Sequence, residues 1–199
     1  MVKEFSQAID DSVYDITGDT HLTLILLVLN RTKLTAHVTI RLLSKHAEAT
    51  VLGLVIGKKT NTVSLHTIQE HKAKYTRSNL LIRSILYDDA QFSYTGGITV
   101  DTSAQKTDAY QRNDTLLIGK GAGATSFPFL EISANDVKCT HGATISPIPD
   151  DVLWYMETRG ISKETCRRMY VEGFAHGLIS KIEDVDIQKD AWNTVSDAI

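Results

Sequence analysis

The sequence predicts a mainly β chain that ends in a helical region, with the β part over residues 1–148 and the helical part over residues 149–199. Two observations carry this. From about residue 12 to residue 148 the apolar residues fall in runs of mostly four to ten, often alternating with polar ones, which is the period of a strand. Beyond Pro149 the apolar spacing changes to three and four, the period of a helix. The length of 199 residues and mass of 22.0 kDa give room for one ordinary domain, or one with a small appendage.

The expected strands are Thr20–Leu29, Leu34–Leu43, a stretch from Ala47 to Gly57, Thr62–Ile68, Leu80–Leu86, Ala90–Tyr94, Ile98–Val100, Thr115–Ile118, Phe129–Ile132 and Val137–His141. Hairpin signals are scarce. No Asn-Gly or Asp-Gly pair occurs, and Gly96-Gly97 is the single candidate of that kind. Many short strands without tight turns fit a sandwich, a barrel or a stacked solenoid, and a spacing of roughly 20 residues between comparable strands is compatible with solenoid coils. In the tail, Asp150 and Asp151 favour a helix start by complementing its dipole, Val152–Thr158 follows, and Gly160 suits the C′ position. Ser162 is a natural N-cap for a second helix. On that helix Cys166, Met169, Tyr170, Gly173, Phe174, Gly177, Leu178 and Ile182 are expected on one face, and Ala191, Trp192, Val195 and Ile199 mark a last amphipathic piece.

Composition removes several classes. A hydrophobic fraction of 42% and a charged fraction of 23% belong to a globular chain. Two cysteines make no disulfide framework and point to a reducing cytoplasmic setting. The longest apolar run, Leu24–Leu29, falls far below the ~20 residues a membrane helix needs. Asp10, Asp11 and Asp15 precede it, unlike the basic start of an export signal. Residues 150–199 hold ten acidic and six basic side chains against fourteen and fifteen before them, so neither part carries the basic footprint of a nucleic-acid binder.

Three constellations invite chemistry. Gly119-Lys120-Gly121-Ala122-Gly123-Ala124-Thr125-Ser126 is rich in glycine, but no lysine stands between the required glycine and a Ser or Thr, so a Walker-type nucleotide site is not expected. Asp88-Asp89, Glu131 and Asp136 supply carboxylates without any spacing that sequence can fix. Cys139 and His141, two apart on an expected strand, present sulfur and imidazole on one face roughly 7 Å apart, both ligand types suited to iron–sulfur clusters, zinc or copper. Two ligands leave a four-coordinate site half built, so a structural Cys and His stand beside a half-site at a subunit interface. His21, His37, His46, His66 and His176 show no ligand spacing.

The ordered series Asn113-Asp114-Thr115-Leu116-Leu117-Ile118, Phe127-Pro128-Phe129-Leu130-Glu131-Ile132, Asp136 to Thr144 and Trp154 to Ile161, ending near Gly173-Phe174, resembles the SufB/SufD family. Glu70-His71, Thr76-Arg77-Ser78 and Phe92 through Val100 extend the resemblance upstream. It implies a right-handed parallel β-helix followed by C-terminal helices. It also implies a non-enzymatic scaffold for assembling a transient iron–sulfur cluster, working with the SufC-type ABC ATPase as a homodimer or a heterodimer with a paralogue. Family members are about twice this length and carry an N-terminal helical region that these residues do not match. The Lys-Cys-Thr-His-Gly-Ala-Thr form is similar to SufD, whose histidine at the position of His141 is implicated in cluster formation. Asn113 stands where the SufB branch has a cysteine, and Gly142 where it has a glutamate. Cys139 and His141 are thus the expected cluster or iron contacts, and Met169, Tyr170, Phe174 and Leu178 the expected ATPase-docking face. Two alternatives stand beside these: an interaction module that recruits the ATPase without holding a cluster, and a second helix that covers the open end of the β-helix.

Overall fold

The computed structural model describes residues 2–4 and 12–199, so that Asp10 and Asp11 lie outside the described residues. The described strands are β1 (Val2–Glu4), β2 (Ser12–Ile16), β3 (His21–Leu29), β4 (Lys33–Leu42), β5 (Glu48–Gly57), β6 (Thr62–His71), β7 (Arg77–Leu86), β8 (Gln91–Val100), β9 (Asp108–Leu117), β10 (Gly123–Ile132) and β11 (Lys138–Pro147). The odd strands form one sheet in the order β1-β3-β5-β7-β9-β11, the even strands a second in the order β10-β8-β6-β4-β2. Every pairing is parallel, each strand lying against the one two further along the chain. Of the three architectures the strand pattern allows, this topology selects a parallel β-solenoid of about 5 turns.

One turn takes 29 residues in the middle of the solenoid, as between Glu48 and Arg77, and 30, 31 or 32 toward β11. The roughly 20-residue spacing read from the sequence is too short, because a turn holds two ten-residue strands and two corners. Single left-handed residues make the corners: His46, Tyr75 and Lys106 on one side, Asn30, Lys59 and Asp88 on the other. Gly96-Gly97 is not a hairpin turn but the middle of β8. Gly96 lies against the Tyr94 and Gln111 side chains and Gly97 beneath the Phe129 ring, so both glycines serve close approach.

The interior changes along the axis. In β3, β4 and β5 the inner residues are apolar, among them Leu24, Leu26, Val38, Ile40, Leu42 and Val51. From β6 onward polar side chains enter the interior: Thr67 bonds Tyr94 at 2.8 Å, Ser84 bonds Thr115 at 2.6 Å, and Gln69 donates to Gln111 at 3.4 Å. His71 is fully buried, with Nδ1 2.8 Å from Thr76 Oγ1 and Nε2 2.9 Å from Ser78 Oγ.

The tail comprises α1 (Asp150–Glu157), α2 (Lys163–Ile179) and α3 (Val185–Ser196). Ser162 caps α2 by accepting from the Thr165 amide, and Asp184 caps α3 by accepting from the Asp186 and Ile187 amides. Val171, Ala175, Leu178, Ile179 and Ile182 pack on Leu52, Leu54, Ile56, Leu81 and Ile85, the outer faces of β5 and β7. That is why β5 is apolar on both sides rather than alternating. The tail therefore covers the flank of the solenoid. The alternative that α2 covers the open end of the β-helix does not match these contacts: its buried side chains meet β5 and β7, inside the odd-strand sheet rather than at its end.

Candidate functional site at the open end of the solenoid

The last turn, β10 and β11, has a neighbouring strand on one edge only among the described residues, so its other edge is open. The register settles which residues face inward. Cys139 pairs with Ala109, His141 with Gln111, Ala143 with Asn113 and Ile145 with Thr115, and all four partners are buried interior residues. In a parallel sheet, aligned residues point the same way, so Cys139, His141, Ala143 and Ile145 line the inner side of the open coil. The structure thus brings Cys139 and His141 onto one face. It also places Asn113 one turn below Ala143, with neither amide atom partnered among the described residues.

Cys139 is half-buried, packed with Val137 and Leu130 against Ile98, Val100, Ala104, Ala109 and Ala134. Burial, then the nearby Asp108 carboxylate, pushes its thiol pKa up, while a backbone hydrogen bond at Ala109 pulls the other way. A protein holding Cys139 in this setting keeps it as a thiol at neutral pH, and a metal ion has to displace that proton. His141 is exposed at the rim. No group of three or more His, Cys, Asp or Glu side chains converges on a metal-sized space among the described residues. The site from one chain is therefore two donors on an open surface.

The remaining sequence candidates separate. Asp88 sits in a corner, where its carboxylate accepts from the Lys59 amide, and Asp136 pairs with Lys106 at another corner. Glu131 lies on the outer side of β10, opposite Thr99. The glycine-rich segment is a corner leading into β10, and Gly119, Gly121 and Gly123 lie against Asp88, Asp89 and Gln91 of the previous turn. His37 and His66, read as scattered, are register partners on β4 and β6 with ring centroids 4.6 Å apart. A repeat near 29 residues is the one signal that would have aligned them.

The expected docking face of α2 divides in two. Leu178 is fully buried against the sheet and is not part of any outer surface, because the helix turns its 171–175–178–179–182 face inward. Met169, Tyr170 and Phe174 line a groove of about 510 Å³ between α1 and α2, with Met156, Gly173 and Gly177. Trp154 and Tyr155 of α1 are more than half exposed nearby in sequence to Met156. The Phe174 ring lies 4.8 Å from the Arg83 guanidinium, which also donates to the Phe174 carbonyl.

The chain is thus a parallel β-solenoid with helices on its flank, its last coil presenting Cys139 and His141 inward. Residues 5–174 match the family model described as SUF system FeS cluster assembly, SufBD core domain, and the chain belongs to that family. It is 34% identical over 136 residues to the iron-sulfur cluster assembly protein SufD of Escherichia coli K12, covering 68% of this chain and 32% of that protein. It is 32% identical over 148 residues to the chloroplastic protein ABCI7 of Arabidopsis thaliana, covering 74% and 31%. A SufBD family protein of Synechocystis sp. is 33% identical over 111 residues, covering 56% and 24%. The chain thus spans about a third or less of the length of these relatives. No helix among the described residues is long and apolar enough to cross a membrane.

Proposed function

We propose that the chain serves iron–sulfur cluster assembly as a SufD-like scaffold subunit, without enzymatic chemistry of its own, in a reducing cytoplasmic setting. A second β-solenoid, another copy or a SufB/SufD paralogue, would close the open coil and bring its donors to Cys139 and His141. The observation that carries this reading is the inward placement of both side chains on an uncovered last turn. Ile132 and Ile145, also inward by register, are each 39% exposed, and the outer edges of β10 and β11 have no strand beside them among the described residues. Apolar inner residues and free strand edges are surfaces that another sheet buries. The cluster is cargo here: thiolate and imidazole supply soft and borderline ligands, and the partner supplies the rest.

Anaerobic reconstitution with iron and sulfide, followed by absorption spectroscopy, tests this. The chain is expected to load a cluster and the Cys139→Ala, His141→Ala double variant to lose at least 80% of it. Equal loading would remove both residues from the site. The second reading, a module that recruits an ATPase without holding a cluster, is favoured by the single-chain donor count of two. It predicts protein isolated anaerobically without iron or acid-labile sulfide that still binds a SufC-type ATPase.

The groove between α1 and α2 is the proposed seat of that ATPase. Met169, 47% exposed, gives the cleanest test. Met169→Asp is expected to change stability by less than about 0.5 kcal/mol, as surface changes do, and to weaken ATPase capture at least tenfold. Leu178→Asp places a charge in the packed sheet contact and is expected to unfold the tail instead. Undiminished capture by Met169→Asp would move the docking surface elsewhere.

A further inference from the structure

We propose that the cleft between the C-terminal end of α2 and the outer faces of β7 and β9 binds a small oxyanion, a phosphate or a carboxylate group. The cleft has a volume of about 310 Å³ and is lined by Arg83, Arg112 and Lys181, with Leu52 and Leu81 among its apolar walls. It is separate from the open coil, since the three side chains lie on the outer face and on the tail.

Charge decides what it accepts. Asp114 is the one carboxylate lining the cleft; it is 7% exposed, and its two oxygens accept from Arg112 Nε at 3.0 and 2.8 Å. That pairing balances one of the three cations. The C-terminal end of α2 contributes about half a negative charge near Lys181. More than one unit of positive charge is left, in a recess whose other walls are Asn79, Tyr110, Leu52 and Leu81.

Arg83 brings part of that surplus inward. One of its terminal nitrogens donates to the Phe174 carbonyl, and the Phe174 ring packs on the guanidinium. Its Nε is buried and has no partner among the described residues. Burial lowers the Arg83 pKa and so does neighbouring Arg112, while Asp114 opposes them; the guanidinium stays charged. Lys181, exposed just beyond α2, forms no ion pair among the described residues and completes the opposite wall. At about 30 Å³ per water the cleft has room for roughly ten, enough for an oxyanion carrying a small substituent.

The test is a two-dimensional amide NMR titration of the chain, with inorganic phosphate in one arm and malonate in the other, at ionic strength held constant with sodium chloride. Saturable shifts are expected at the amides around Arg83 and Arg112, at least fivefold weaker binding in Lys181→Ala, and none in Lys181→Glu. Saturation by either anion supports the site, and comparison of the arms tells phosphate from carboxylate. Failure of both anions to saturate, or equal affinity in Lys181→Glu with the rest of the spectrum unchanged, overturns it.

Discussion

Gly119→Ala is expected to cost roughly 2–4 kcal/mol, in the range reserved for substitutions that strain a packed interior. A methyl group at Gly119 would fall on the carbonyl oxygen, nitrogen and carbonyl carbon of Asp88, all main-chain atoms. Asp88 cannot step aside cheaply. It holds the left-handed corner conformation, and its carboxylate accepts from the Lys59 amide at 2.8 Å. Gly119 is itself tied to the previous turn through its amide and the Leu86 carbonyl at 3.2 Å. Gly97→Ala is the matched comparison. There the methyl meets the ring of Phe129, which is 39% exposed and free to rotate outward. That change is expected to cost about 1 kcal/mol or less. Urea denaturation of both variants gives the comparison, and equal losses would show that the corner at Gly119 yields to a methyl group as readily as the Phe129 ring does.

The same residues show what sequence reading reaches and what it does not. Alternation in Lys33–Leu42 is legible because one face meets the interior and the other water. It disappears in Glu48–Gly57, where α2 covers the outer face, and periodicity there cannot tell strand from buried helix. Strand ends are missed where polar residues continue inside: Gln69 and His71 extend β6 beyond Ile68, and Gln111 and Asn113 belong to β9, yet all four are buried. Ser162, Gly160 and the Cys139–His141 spacing are legible because each depends on nearest neighbours in the chain. The inward direction of Cys139 and His141 and the meeting of Arg83, Arg112 and Lys181 depend instead on register between turns some 30 residues apart. Spacing groups Leu178 with Met169, but the packing of α2 turns them to different surroundings.

Acidification is expected to destabilise the chain through His71 before its carboxylates titrate. Burial pushes the His71 pKa down to about 4, from 6.5 for an exposed imidazole. The folded state holds the ring neutral between Thr76 and Ser78, whereas the unfolded chain takes up a proton below about 6.5. The stabilisation relative to the protonated ring is thus fully present above pH 6.5 and is lost progressively as the pH falls toward 4. A shift of this size corresponds to about 3 kcal/mol over the window, of which roughly 2 kcal/mol falls between pH 7 and pH 5. His66, whose pKa is lowered by burial and by His37, adds to the same slope, so the wild-type profile alone does not isolate His71. His71→Gln does: it keeps polar atoms beside Thr76 and Ser78 and removes the titration. Its unfolding free energy at pH 7 is expected to be lower than that of the wild type, with a flatter decline to pH 5. Chemical denaturation at half-unit pH steps measures both curves. Parallel slopes would mean that His71 gains its proton without unfolding, and that the polar interior between β6 and β9 admits a charge that its burial argues against.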